Sequence, residues 1–115
     1  MLVRAKTSYK LWHKHLESVS KIDRHTLGIK IDGIFLSLLE TIFRATFAYD
    51  KFEKLSLVST AIAKNDLLKF FLQIGWEHKT INHKVYSDLI LGLDEVGRML
   101  GGWKKSLQDK TPTNK

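Results

Sequence analysis

The chain has 115 residues, with 19 Lys and Arg against 12 Asp and Glu, for a formal net charge of +7. That length holds one small domain with one core and excludes two. A hydrophobic content of 43% excludes a wholly disordered chain, and the lack of cysteine excludes disulfides, a thiol nucleophile and thiolate metal sites. The positive balance points to a polyanionic partner, either nucleic acid or an anionic membrane surface. Met1 to Lys6 carry no apolar run of the signal-peptide kind. The longest apolar stretch, Gly33 to Phe43, is interrupted by Glu40 and is too short to span a bilayer. A soluble, cytoplasmic protein is expected. Pro112 is the single proline and turn-forming clusters are few, which favours long helices over short strands.

Four helices are predicted. In the first, from about Ser8 to Ser20 with a start as early as Leu2, Tyr9, Trp12, Leu16 and Val19 recur at spacings of three and four. Thr7 or Ser8 is a candidate cap. Lys21 to Gly28 breaks the pattern and reads as a connection, with Thr26 or Asp23 as the cap of the second helix. That helix covers about Leu27 to Tyr49. It carries one apolar stripe, Leu27, Ile31, Ile34, Leu38, Ile42 and Ala45, and beside it a second, Phe35, Leu39, Phe43 and Phe47. So broad an arc exceeds what one buried face needs, so this helix is central in the bundle or is buried again in an oligomer. Glu40 interrupts it and is expected to be buried against Arg44, four residues on. Asp50 with Lys54 and Asp94 with Arg98 have the same spacing, and the last pair is a candidate for crossing between subunits.

The third helix runs from about Phe52 to Trp76, with Leu55, Val58, Ala61, Ile62, Leu68, Phe71 and Leu72 on its apolar face. Asn65 falls on that stripe and is expected at the core edge with its polar atoms satisfied; the other reading is a register-fixing residue. Glu77 to His83 is a connection with Asn82 as a candidate cap. The fourth helix, about Lys84 to Leu107, places Val85, Leu89, Leu93, Val96, Met99, Leu100 and Trp103 on one stripe. Residues 108–115 form a polar tail expected to be disordered. Short connections between helices of this length favour an antiparallel, up-down-up-down four-helix bundle over residues 1–107.

The run Gly97, Met99, Leu100, Gly101, Gly102 and Trp103 stands out within the last helix. Each helical glycine costs about 1 kcal/mol relative to alanine, so the Gly101–Gly102 pair needs an offset. Either the helix stops there or another backbone approaches too closely for a Cβ. Gly97 and Gly101 are four apart and share a face, and Trp103 brings a large apolar area. The run therefore reads as a packing device at a helix–helix or subunit contact.

Two stretches carry a family resemblance: Arg24-His25-Thr26-Leu27-Gly28, leading into the second helix, and Glu95 to Trp103 with its MLGGW run. Over about Ala5 to Lys105 the chain resembles the accessory variability determinant (Avd) proteins of diversity-generating retroelements, within a wider family of small four-helix bundles. The MLGGW run is the specific part. The resemblance implies a barrel-shaped homopentamer of four-helix protomers. It also implies binding to the retroelement reverse transcriptase and to template RNA or other nucleic acid through basic surface residues, in support of mutagenic copying. The chain departs from the family in carrying lysines where arginines are expected. Lysine contacts phosphate as a point charge, whereas arginine offers a bidentate fork, so non-specific backbone binding tolerates the change best.

Lys6, Lys10 and Lys14 recur every four residues and form one ridge on the first helix. Lys21 and Arg24 extend the charge into the connection, Lys64 and Lys69 lie on the third helix, and Lys79 and Lys84 bracket the last connection. Such a set suits a phosphate backbone, since each neutralised phosphate releases counterions; for any single lysine a solvated helix face is the plainer reading. His13 and His15 point to different faces and make poor chelating geometry, so no metal and no cofactor is expected. There is no nucleophile elbow, no phosphate-cradling loop and no paired carboxylates on one face, so no enzyme is expected. The expected function is a non-catalytic, nucleic-acid-binding accessory subunit that holds polymerase and template together. The alternatives are a bundle of the ribosomal RNA intervening-sequence type and a structural scaffold without nucleic acid. A neighbouring reverse-transcriptase gene with paired template and variable repeats discriminates the first. Failure to bind any RNA at any salt concentration favours the second. Membrane binding is disfavoured, because no exposed apolar face adjoins the lysine ridge.

Overall fold

The computed structural model describes residues 1–110. Among them every regular element is helical: α1 (Leu2–His15), a 3-10 turn (Leu16–Ser18), α2 (Lys21–His25), α3 (Leu27–Phe47), α4 (Lys51–Glu77) and α5 (His83–Lys110). α3 packs on α4, α4 on α5, and α1 against both α3 and α5, which closes a ring of four helices around one core. The molecule is elongated, 56 × 20 × 20 Å. Contacting residues run in opposite order along paired helices. Lys30 meets Phe71, Thr41 meets Lys64 and Thr46 meets Lys54 across α3 and α4.

Helix ends differ from the expected ones for local reasons. α1 begins at Leu2 and stops at His15, because Ser18 Oγ donates back to the His15 carbonyl at 2.8 Å and Val19 turns extended. Ser8 lies inside α1 and is buried instead of capping it. The expected connection from Lys21 to Gly28 contains α2, whose N-terminus Ser20 caps by accepting from the Asp23 amide. Thr26 precedes α3 but does not cap it; its hydroxyl donates to the Ile22 carbonyl at 2.9 Å. Asp50 and Asn82 do cap, accepting at 2.9 Å from the Glu53 and Val85 amides. α5 continues to Lys110, three residues past the expected end, and residues 111–115 with Pro112 lie outside the described residues.

The core is built on Trp12, Phe35, Ile31, Leu38, Leu68, Leu72, Leu89, Leu93 and Leu100, all fully buried. Trp12 inserts from α1, stacks on Phe35 at 6.5 Å and donates its indole N–H to Asp32 Oδ1 of α3 at 3.2 Å. That bond satisfies the one polar atom a buried tryptophan brings with it. Tyr9 meets Phe35 edge-on, and its phenol is pushed above its usual range, first by burial and then by the hydrogen bond and charge of Asp32.

α1 is held to α5 by small residues. Ala5 and Ser8 are buried against α5, where a Cβ added to Gly92 would collide with Ser8 Oγ. Beside this contact Arg4 Nε donates to Glu95 Oε2 at 2.6 Å. Asn65 of α4 lies deep in the core, not at its edge. It is 1% exposed, its Nδ2 donates to the Leu93 carbonyl at 3.0 Å, and its Oδ1 has no partner among the described residues. Glu40 also departs from expectation. It stands exposed on α3, 4.0 Å from an exposed Arg44, because it falls beyond the second apolar stripe, on the side of the helix away from the core.

Gly92→Ala is expected to destabilise the fold by about 1–3 kcal/mol through overpacking against Ser8, read as a shift in the urea midpoint. Gly92→Ala combined with Ser8→Ala is expected to recover part of that loss.

Candidate nucleic-acid and subunit surfaces

α1 contains no acidic residue. Lys6, Lys10 and Lys14 are exposed along its outer side, and no ion pair engages them among the described residues. Arg4, on the same helix, is turned inward to Glu95. Lys21 and Arg24 stand exposed on α2, and Arg24 Nη2 donates to the Val19 carbonyl at 2.9 Å. The ridge thus continues from α1 onto α2 at one end of the molecule. Lys79 is exposed at the same end, because α2 packs its Asp23 against Thr80 at 3.1 Å.

The remaining predicted cations are engaged within the protomer. Lys64 donates to Thr41 Oγ1 at 2.8 Å. Lys69 sits 3.1 Å from Asp94 and 3.9 Å from Asp66, which takes Asp94 away from its expected partner Arg98. Lys84 pairs with Asp88 at 3.6 Å. Lys64 and Lys69 face across helix–helix seams, so their positive charge is partly spent on fixing the bundle.

The run near the end of α5 divides. A Cβ on Gly97 would come within 3.1 Å of Asn65 Nδ2, and Leu100 is fully buried, so these two residues pack within the protomer. Gly101 and Gly102 face open space, and Met99 is exposed. Four residues turn a helix by about 400°, so Gly101 is rotated about 40° away from the contact that Gly97 makes. Trp103 is half-buried, with Lys54 Nζ 5.8 Å from its ring centre.

The second apolar stripe of α3 also divides. Phe35 is in the core, while Phe43 and Phe47 are exposed, the latter by 67%. With Met1, Leu2, Val3, Ile42, Thr46 and Trp103 they line an open groove of about 550 Å³. Ile29 and Leu36 continue an exposed apolar line along α3. Phe43 and Phe47 lie 4.9 Å apart, ring to ring, so the two form one patch. Contiguous apolar surface of this kind marks an interaction site.

A family model described as bAvd-like matches residues 1–107. The chain belongs to the bAvd-like family. No curated protein and no solved structure matches it. The match spans all four long helices of this bAvd-like chain, from the lysine ridge of α1 to the glycine run of α5. No helix among the described residues is long and apolar enough to cross a membrane.

Sequence reasoning missed two features of the bAvd-like chain. Gly92 is the glycine of α5 that admits α1, as Gly97 admits Asn65 of α4; the signal for Gly92 was its register with Ala5 and Ser8, which only the pairing of α1 with α5 reveals. The stack of Trp76 on Tyr86 was also missed, because its partners belong to two helices. Gly101→Ala is expected to raise the thermal midpoint of an isolated protomer, by up to about 1 kcal/mol of stability from helix propensity. A fall in the midpoint, or loss of assembly at unchanged helicity, would mean that another subunit occupies the open space beside Gly101.

Proposed function

We propose that the protein is a non-catalytic accessory subunit of a diversity-generating retroelement that binds nucleic acid and the reverse transcriptase. Membership of the bAvd-like family supports the retroelement context. The observation that carries the nucleic-acid reading is the acid-free α1 with its unpaired ridge of Lys6, Lys10 and Lys14. Lysines one helical turn apart stand about 6 Å from one another, a spacing close to that of successive phosphates along a strand. Lys21, Arg24 and Lys79 extend the same field. Contacts of this kind recognise charge and shape, with little reading of base sequence.

The protomer in this reading is an up-down-up-down bundle acting in the cytoplasm, and the working species is a homopentamer. The exposed line Ile29, Leu36, Phe43 and Phe47 supports burial between subunits, as does the groove beside Trp103. A ring joins two different faces of each subunit, and this chain offers two: the apolar line of α3 and the open side of α5 at Met99, Gly101 and Gly102. In such a ring the α1 ridge is repeated around one axis, and modest single-site affinities combine.

Light scattering on a size-exclusion peak is expected to give about five times the 13.3 kDa protomer mass; a monomer would remove the ring. Lys10→Glu with Lys14→Glu is expected to weaken RNA binding and to lower the slope of log affinity against log salt by about 1–2. Unchanged affinity and slope would remove α1 from the interface. Co-purification with the reverse transcriptase tests the accessory role separately from RNA binding.

A further inference from the structure

The end of the molecule where α4 hands over to α5 carries an aromatic pair at the rim of the core, with Tyr86 packed against the core and Trp76 outside it. Trp76, in the last turn of α4, lies on Tyr86, in the first turn of α5, with ring centres 4.9 Å apart and planes at 7°. His83 stands beside the indole at 6.0 Å. Trp76 is 38% exposed, whereas Leu72 and Leu89, one turn further into the bundle on the same two helices, are fully buried. A tryptophan held flat by one partner and left partly in water presents a rigid apolar plane.

The backbone next to it keeps a cation in an unfavourable place. α4 ends in a Schellman turn: the Thr80 amide donates to the Gly75 carbonyl at 2.8 Å and the Lys79 amide to the Trp76 carbonyl at 3.1 Å. The residue at the centre of that turn takes a left-handed conformation and is normally glycine. Here it is Lys79, with φ of 66°. Lys79 is exposed three residues after Trp76, and no ion pair engages it among the described residues. The neighbouring acids are occupied: Asp88 by Lys84, Asp23 by Thr80 and His78, and Glu77 by Gln73. Strained backbone at an exposed cation is a pointer to function.

We infer that Trp76, backed by Tyr86 and flanked by Lys79 and His83, is a stacking platform for an unpaired base of single-stranded nucleic acid. The inference rests on the nucleic-acid reading above and adds a substrate class to it. A lysine ridge holds any phosphate backbone, whereas an exposed indole plane takes only a base that is free of its duplex. α2 lies against this end through Asp23, so Lys21 and Arg24 lead from the α1 ridge toward the platform. A strand running from α1 toward the indole would pass these cations, with exposed Glu17 in the 3-10 turn and half-buried Asp23 beside Thr80 interrupting the positive surface.

The test uses the full chain, with fluorescence anisotropy on an oligouridylate and on a blunt RNA duplex of mixed sequence. Trp76→Leu is expected to weaken oligouridylate binding about tenfold, the scale of one lost base stack, and to leave duplex binding unchanged. Lys79→Gly is expected to weaken both, with an equal or higher thermal midpoint because glycine suits the left-handed turn. A second readout needs no change at the platform: in Trp103→Phe protein, oligouridylate is expected to quench tryptophan emission and the duplex to leave it unaltered. Equal losses on both strands for Trp76→Leu, or no loss on either, would overturn the platform while leaving the lysine ridge standing. Wild-type protein that binds neither probe would overturn the nucleic-acid reading itself, and the platform with it.

Discussion

The close approach of α1 to α5 at Gly92 is the constraint on which the rest of the arrangement depends. A Cβ at Gly92 would collide with Ser8 Oγ, so a glycine facing a small side chain sets how closely the two helices meet. That approach buries Ala5 and Ser8, aligns Arg4 with Glu95 and delivers Trp12 into the core. Trp12 in turn fixes α1 to α3 through Asp32. With its inner side committed to two neighbours, α1 has one direction left in which to present Lys6, Lys10 and Lys14. The ridge is therefore rigid, and its spacing is set by packing on the opposite side of the same helix.

The two ends of the bundle differ in chemistry. At one, exposed Val3, Phe43 and Phe47 line a groove with Trp103, and Lys54 is drawn over the indole ring. At the other, His83 stands beside Trp76, Lys79 and Lys84 are exposed on the connection and the start of α5, and α2, held there through Asp23, carries exposed Lys21, Arg24 and His25. Apolar surface in water favours association with protein, and exposed cations favour a polyanion. The exposed apolar line of α3 runs from Phe47 near the first end to Ile29 beside Arg24 at the second, so the two chemistries meet along that helix.

The helices themselves were legible in the sequence because apolar residues three and four apart leave few alternatives to a buried helical stripe. The cap at Asn82 was equally direct, being a short polar residue just before apolar periodicity resumes, whereas Asp50, read as a partner of Lys54, caps α4 instead. α2 was not legible: five residues carry too little periodicity, and Ile22, its apolar residue, ends up exposed. Asn65 was placed at the edge because buried amides are normally satisfied at both ends, and this one is satisfied at one. Among the candidate site residues, the ridge of α1 followed from spacing alone. Lys64 and Lys69 looked equivalent to it in sequence, and only three-dimensional pairing with Thr41 and Asp94 separates them, whereas the pairing of Lys84 with Asp88 four residues on was open to the spacing and was missed. Within the glycine run, a shared face at Gly97 and Gly101 did not reveal that the neighbouring helix reaches Gly97 and leaves Gly101 open in the protomer.

Asn65 has a mechanical consequence. Leucine-rich helices can slide past one another by a turn at little loss of apolar contact, because leucine meets leucine in either position. An amide that donates to the Leu93 carbonyl in this alignment loses that bond on a slip, which makes slippage costly for a group buried as deeply as this one. A slip of one turn would carry α5 about 5.4 Å along α4, unstacking Tyr86 from Trp76 and drawing Trp103 away from Lys54. The orphaned amide thus works as a detent. It surrenders some stability, and in return the spacing between the aromatic at one extremity and the aromatic at the other becomes a fixed length of the molecule.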